Sequence, residues 1–111
     1  MAWARVILAA MILAAIIGCK SVEERVVGKW QNEDSTQSVT FHENGTATFE
    51  VYGRTTEANY KFTDAAHARF DFDGTFGELE GQQVARVAIE KEELSLEFES
   101  GANYSFTRVQ G

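Results

Sequence analysis

Apolar and polar residues alternate with a period of two along most of this chain. Such alternation is typical of β-strands with one buried and one exposed face. With the segment around Trp30 counted as the first, eight short strands are predicted. The apolar positions of the other seven are Val39 and Phe41; Ala47, Phe49 and Val51; Ala58, Tyr60 and Phe62; Ala68, Phe70 and Phe72; Ala85, Val87 and Ile89; Leu94, Leu96 and Phe98; and Tyr104 and Phe106.

Short connections join these segments. Asn44-Gly45 predicts a tight hairpin in which both residues take positive φ. Further turns are predicted over 53–57, 64–67, 91–93 and 100–103. Residues 73–83 break the alternation with three glycines and carry Phe76 and Leu79 between them. This stretch is predicted to be the longest and most mobile loop.

The simplest topology for such a pattern is an antiparallel sheet whose neighbours follow in chain order. Eight strands with one buried face remove their exposed edges by closing into a barrel. The sequence therefore predicts an all-β fold, a small eight-stranded antiparallel up-and-down barrel preceded by an N-terminal signal-peptide helix. A two-sheet sandwich is the alternative.

The N-terminus follows a different pattern. Arg5 precedes a run of 12 apolar residues, from Val6 to Ile17, and then come Gly18 and Cys19. A charged start, a short apolar segment and a small residue form the layout of a secretory signal peptide. The run is shorter than the roughly 20 residues that span a bilayer as a helix. An ordinary signal peptide or an uncleaved anchor with a chance cysteine remains the alternative.

The segment Ile16-Ile17-Gly18-Cys19 resembles the lipobox of bacterial lipoproteins. The resemblance implies a signal peptide at 1–18, a lipidated Cys19 with a short tether at 19–25, and a barrel domain at 26–111. It also implies a bacterial cell-envelope location, with acyl chains such as palmitate on Cys19 holding the membrane. Lys20 rather than Asp after Cys19 implies the outer membrane if the source is Gram-negative.

Ser21 and Glu24 have the spacing of a capping box, which predicts one helical turn before Val26. An unstructured tether is the alternative.

Cys19 is the only cysteine, so stability depends on apolar burial, to which the eight phenylalanines contribute about 1.5–3 kcal/mol each if buried. Cleavage would leave nine basic residues against 17 acidic ones, a formal charge of −8. Without a Lys/Arg cluster, this composition argues against nucleic acid as a partner.

Arg108 is in phase with Tyr104 and Phe106, so alternation points its guanidinium toward the core. An inward guanidinium needs a partner, and the face of an indole is a suitable one. Trp30 lies in the first strand and Arg108 in the last, and barrel closure would bring them together.

Here the chain resembles the lipocalin-like (calycin) proteins, which carry Gly-X-Trp at the start of strand one and a late Arg packed across that Trp. Gly28, Trp30 and Arg108 stand in those places. The chain departs from full lipocalins in being shorter and in lacking their Thr-Asp-Tyr element. The resemblance is closer to short lipocalin-like domains on secreted bacterial lipoproteins.

No motif predicts catalysis or a cofactor. His42 and His67 are single, without partners at a metal-site spacing. An acidic set could in principle hold calcium, but its spacing does not fit an EF-hand, and a solvated surface is the preferred interpretation: Asp71, Asp73, Glu78 and Glu80. No nucleophile lies beside a base. We therefore expect a non-enzymatic protein without a cofactor or metal.

The first functional hypothesis is a membrane-anchored lipoprotein outside the cytoplasm whose barrel binds a small apolar ligand at its open end. The candidate ligand-binding residues are Tyr60, Phe62, Phe72, Phe76 and Leu79. The alternative is a protein-interaction or inhibitor module with a solid core and an envelope protein as its partner. A structural envelope lipoprotein is a third possibility.

Overall fold

The computed structural model of the protein describes residues 21–110. The expected signal peptide and Cys19 lie outside the described residues. A single helical turn, α1 (Val22–Arg25), precedes eight strands: β1 (Gly28–Gln31), β2 (Gln37–Phe41), β3 (Thr46–Val51), β4 (Arg54–Phe62), β5 (His67–Phe76), β6 (Leu79–Glu90), β7 (Glu93–Phe98) and β8 (Asn103–Arg108). Within this described part, no helix has the length and apolar character needed to cross a membrane.

The eight strands form one closed antiparallel barrel in chain order, β1 to β8. β8 returns to β1, where Trp30 pairs with Arg108 and Gln31 pairs with Thr107. The predicted all-β barrel is therefore confirmed, and the sandwich alternative is excluded. Closure follows from the pattern, since every strand has one apolar face that needs the same interior.

The up-and-down order places the connections at two opposite ends. At one end, which we call the helix end, lie α1, the turns at 42–45, 63–66 and 91–92, and the C-terminal end of β8. At the other, the hairpin end, lie the loop at 32–36 and the turns at 52–53, 77–78 and 99–102.

The helical turn covers the helix end. Ser21 is the N-cap and its hydroxyl accepts a hydrogen bond from the Glu24 N–H at 3.3 Å, as the Ser-x-x-Glu spacing predicts. Val26 at the end of the turn is fully buried, and Val22 packs partly buried against the same core. The one-turn prediction is confirmed.

The interior consists of apolar side chains from all eight strands. Seven of the eight phenylalanines are buried there: Phe41, Phe49, Phe70, Phe72, Phe76, Phe98 and Phe106. Neighbouring rings lie with centroids 4.9 to 6.5 Å apart, a range typical of packed aromatic side chains.

The predicted loop over residues 73–83 is wrong. β5 continues to Phe76 and β6 begins at Leu79, so this stretch is a hairpin with a two-residue turn at 77–78. A bulge between Asp71 and Thr75 bends the ladder, and Gly74 there has φ 133°. The glycines bend a continuous hairpin rather than interrupt it.

Two turn predictions also need correction. The turn predicted over 53–57 is confined to Tyr52 and Gly53, because β4 already begins at Arg54. In the predicted Asn44-Gly45 hairpin, only Gly45 takes positive φ, at 90°. The Gly45 N–H donates to the His42 carbonyl at 3.3 Å, which makes a four-residue turn instead of a two-residue one.

Candidate functional site

Trp30 is the largest side chain at the helix end and is fully buried. Its indole Nε1 donates a hydrogen bond of 2.8 Å to the carbonyl of Val26, the residue that ends the helical turn. The guanidinium of Arg108 lies over the ring, with Cζ 4.1 Å from the centroid. The first strand, the last strand and α1 therefore meet at one indole.

Arg108 also donates hydrogen bonds to backbone carbonyls of the segment that leads into β1. Its Nη1 donates to the Val27 carbonyl at 3.2 Å, and its Nη2 donates to the Arg25 carbonyl. Its Nε lies 3.4 Å from a carboxylate oxygen of Glu92. A Cβ added to Gly28 would lie only 2.9 Å from Nη1, so this position leaves no room for a side chain. Gly28, Trp30 and Arg108 thus form one structural unit.

The expected ligand residues do not border one common opening. Tyr60 and Phe62 lie half-buried on β4 at the helix end, with ring centroids 6.3 Å apart. Phe72 is buried in the middle of the barrel. Phe76 and Leu79 lie at the hairpin end, 1% and 0% exposed, and not in a loop.

These residues are instead linked through the packed interior. Phe70 contacts Tyr60 at 6.3 Å and Phe72 at 6.1 Å between centroids. Phe49 continues the contact to Phe72 at 5.0 Å and to Phe76 at 4.9 Å. Aromatic rings therefore pack in succession from one end of the barrel to the other.

Tyr60 lies on β4 at the helix end and links this strand to the neighbouring β2–β3 turn. Its hydroxyl donates a hydrogen bond of 2.7 Å to the His42 carbonyl in the β2–β3 turn. Burial raises the pKa of the phenol, and the nearby carboxylates of Glu23 and Glu43 raise it further. The phenol therefore stays protonated, and able to donate this hydrogen bond, to a higher pH than a free tyrosine.

Tyr104 has the corresponding position at the hairpin end. Its ring lies 5.4 Å from that of Phe76 and 6.0 Å from that of Phe98. A Cβ added to Gly77 would lie 3.1 Å from its hydroxyl, so the tip of the β5–β6 hairpin rests directly on this side chain. Burial raises the pKa of the Tyr104 phenol, with Glu78 as a second cause. The hairpin thus covers the barrel opening.

Tyr52 is the large hydrophobic side chain most exposed at the hairpin end, with 79% of its surface accessible. It occupies the first turn position between β3 and β4 with φ 48°, and Gly53 follows with φ 81°. Two positive φ values define a type I′ turn, in which Asn-Gly is the favoured pair. A bulky residue in this conformation is unusual and strained. Sequence reasoning missed Tyr52, although an aromatic directly before the turn glycine was a visible signal.

The seam between β1 and β8 is short. Two residue pairs join the strands, Trp30 with Arg108 and Gln31 with Thr107, and the Val109 N–H, just past the end of β8, donates to the Lys29 carbonyl at 2.9 Å. After Gln31 the chain turns toward β2, where the Asn32 N–H donates to the Gln37 carbonyl at 3.0 Å. β8, which begins at Asn103, therefore runs past the end of β1.

A groove of about 870 Å³ lies along this seam. Its polar lining comes from the 32–36 loop on one side and from β7 and β8 on the other, and includes Asn32, Glu33, Ser35, Glu93, Ser105 and Thr107. Unlike a small-molecule cleft of this size, which is mostly apolar, the groove is open to solvent and mostly polar. The sequence gives no signal for this groove, since it depends on where β1 ends relative to β8.

The two histidines have local hydrogen-bond partners. His67 Nδ1 lies 3.0 Å from a carboxylate oxygen of Asp64, and His42 Nε2 lies 3.2 Å from the Thr48 hydroxyl. The pKa of Asp64 is lowered, chiefly by the Ala66 N–H and then by His67. Among residues 21–110, no group of three or more His, Cys, Asp or Glu side chains is arranged to hold a metal ion.

These features define the class of the protein: a small closed eight-stranded antiparallel β-barrel, compatible with a lipocalin-like fold. Comparison with known proteins adds no closer assignment, because no family model, no curated protein and no solved structure matches the chain.

Proposed function

We propose that this protein is a lipid-anchored protein of the bacterial cell envelope whose filled lipocalin-like barrel serves as a protein-interaction module. Cys19 is the anchoring residue, and the hairpin end is the face that meets other proteins. The observation that carries the proposal is the barrel interior, which is filled with aromatic side chains while both of its ends are covered.

The packed core favours a protein-interaction module rather than a ligand-binding site inside the barrel. Phe72, Phe76 and Leu79 are buried against neighbouring side chains. An apolar ligand in the barrel would have to separate aromatic rings that are about 5 Å apart, such as Phe49 and Phe72. Contacts of this kind stabilise the core, since the loss of one large aromatic side chain from a core costs about 3–5 kcal/mol.

The position of Ser21, the first described residue, supports the choice of the hairpin end as the interaction face. Ser21 lies at the helix end, two residues after Cys19. A lipid on Cys19 would therefore keep the helix end near the bilayer and turn the hairpin end outward. Tyr52 is displayed there, and exposed tyrosines are frequent energetic centres of protein interfaces.

Anchoring is tested by labelling expressing cells with radioactive palmitate. The wild-type protein is expected to incorporate label and to stay in the membrane fraction, and Cys19→Ala is expected to lose both properties. Equal labelling of the two proteins would refute lipidation at Cys19.

The interaction face is tested with a photoreactive phenylalanine analogue at position 52 in the anchored protein. We expect a discrete protein adduct from position 52 and none from position 61, an exposed position on the β4 wall near the helix end and away from the β1–β8 seam. Native mass spectrometry of the purified full chain is expected to show no bound small molecule. A stoichiometric apolar molecule in the spectrum, with no adduct from position 52, would instead establish the ligand-binding alternative.

A further inference from the structure

The open part of the β1–β8 seam indicates how a partner is recognised. We propose that the seam groove binds an extended peptide segment with basic residues at alternate positions, which adds as a short strand to the free edge of β8. This inference rests on the proposed protein-interaction function and names the chemistry of the partner.

The direction of the backbone groups of β8 supports strand addition. The Arg108 N–H donates to the Glu92 carbonyl on the β7 side, whereas the Val109 N–H donates to the Lys29 carbonyl on the β1 side. Because backbone groups alternate along an antiparallel strand, Ser105 and Asn103 direct their N–H and C=O groups toward β1. They lie beyond the last β1–β8 pair, at Gln31 and Thr107.

No residue of the described range 21–110 pairs with these four backbone groups on the β1 side. An extended segment in line with β1 would supply the missing partners, as in other cases of strand addition to a sheet edge. Unpaired edges of this kind invite pairing with another chain unless they are protected.

The far wall of the groove is a loop that is held by its own hydrogen bonds and does not cover the edge. Asn32 accepts a hydrogen bond from the Gln37 N–H at 2.9 Å and donates one to the Thr36 hydroxyl at 3.0 Å. The Thr36 hydroxyl in turn donates to Asp34 at 2.7 Å. These contacts hold the loop toward β2 and leave the β8 edge accessible.

The negative charge of the groove indicates a partner with basic residues. Glu33 and Glu93 line the groove, and Asp34 lies in the same loop. The lining cation is Arg108, whose guanidinium is stacked on Trp30 and paired with Glu92. Acidic groups on both sides favour a basic segment. They also disfavour a second copy of this chain, whose own seam would bring the same charges.

The geometry specifies which partner residues are basic. Ser105 is exposed and points outward, so the residue opposite it also points outward, toward the acidic groups. Its neighbours would lie on the inward face of the added strand, next to the apolar face of β8 that carries Tyr104 and Phe106, so apolar residues are expected there. The partner residue opposite Ser105 would form a hydrogen-bonded pair with it. The N–H of this outward-facing residue would therefore donate to the Ser105 carbonyl.

The test uses the full chain in uncharged detergent micelles and a fluorescent heptapeptide, Lys-Val-Lys-Val-Lys-Val-Lys, blocked at both ends. We expect saturable binding at low salt. N-methylation of the lysine positions is expected to weaken binding at least tenfold, and N-methylation of the valine positions less than twofold. The matched peptide with Glu in place of Lys is expected not to bind.

Protein variants give a second readout. Ser105→Pro removes the N–H that faces the groove, a change that edge positions tolerate, and is expected to weaken binding at least tenfold. Ser105→Ala keeps the N–H and is expected to bind like the wild type. Glu33→Gln with Glu93→Gln is expected to weaken binding three- to tenfold and to reduce its salt dependence.

Three results would overturn the proposal. These are absence of binding, equal effects of the two N-methylated peptides, and a dimer in sedimentation velocity that Ser105→Pro abolishes, since a dimer would identify a second copy as the occupant. A cross-linked adduct from position 52 that persists in Ser105→Pro, together with no peptide binding, would retain the interaction module and reject the seam.

Discussion

Arg108 lies across the indole of Trp30, with Cζ 4.1 Å from the ring centroid, and donates to the carbonyls of Arg25 and Val27. One side chain of the last strand thus joins the first strand to the segment before it. Only 27% of the Arg108 side chain is exposed. The contact joins residues 78 positions apart in the chain, so it exists only in the closed barrel.

Truncation of this pair measures how much closure contributes. Trp30→Ala is expected to lower the free energy of unfolding by about 3–5 kcal/mol, because it leaves a large cavity in the core. Arg108→Ala is expected to cost about 2–4 kcal/mol, because it removes the stacking and leaves the part-buried carbonyls of Arg25 and Val27 without these donors. Urea denaturation followed by tryptophan fluorescence, or by circular dichroism for Trp30→Ala, measures both.

The matched control is Arg86→Ala, on the barrel wall. The Arg86 side chain is 62% exposed and lies 4.0 Å from Glu97, and exposed pairs contribute little. A shift below about 0.5 kcal/mol is expected. If Arg108→Ala and Arg86→Ala gave equal midpoints, the closure role of Arg108 would be refuted.

Gly28→Ala tests the space beside that guanidinium. Gly28 has φ 131°, and an added Cβ would lie 2.9 Å from Arg108 Nη1, so both the backbone and the contact must adjust. We expect a loss of about 2–4 kcal/mol in the free energy of unfolding. Gly101→Ala shares a positive φ of 104° but has no atom within 4 Å of its Cβ. It isolates the backbone cost and is expected to lose only about 1–2 kcal/mol.

Tyr52→Asn is expected to stabilise the protein by about 0.5–1 kcal/mol. Asn tolerates the left-handed conformation that Tyr52 adopts at φ 48°, whereas a tyrosine there is strained. Thermal melting of the two proteins measures the gain. Tyr52→Ala retains a Cβ in the same conformation and is expected not to stabilise, so an equal gain in both variants would show that removal of the exposed ring, rather than backbone strain, is responsible.

Alkaline pH is expected to weaken the helix end through Tyr60. Because the pKa of this phenol is raised above its usual value of 10.0, chiefly by burial, the unfolded chain ionises first as pH rises. The contribution to stability is therefore present below pH 10 and is lost as pH rises through the folded pKa. Ionisation also removes the hydrogen bond from the Tyr60 hydroxyl to the His42 carbonyl.

Ultraviolet titration of the phenols, with Tyr60→Phe subtracted, measures this pKa. Glu43→Gln removes one of the charges that raise it, so the Tyr60 midpoint is expected to move down toward 10.0. A midpoint that does not change in Glu43→Gln would show that the carboxylate has no influence on the phenol.

Much of the fold followed from the sequence because one face of every strand is apolar. The alternation around Phe41, Phe49 and Phe70 predicted the strands and their inward faces, and all eight strands are present. In the same way, the phase of Arg108 with Phe106 predicted an inward guanidinium. These features depend on local spacing, which the sequence records directly.

The errors arose where long-range packing overrides local composition. Gly74 and Gly77 suggested a loop, but burial of Phe76 and Leu79 against the core maintains a bent hairpin through them. Asn44 was expected at positive φ, but the longer His42–Gly45 turn needs that conformation only at Gly45.

The sequence by itself determined the number of strands, their apolar faces and the negative charge, because each is a property of residue order and type. The tertiary structure decided that the interior is filled, that the β5–β6 hairpin covers one end, and that β8 extends beyond β1. Those features depend on how eight twisted strands meet around a common axis. β1 and β8 become neighbours only when the barrel closes, and the groove between them depends on where each strand ends. No local sequence pattern therefore encodes it.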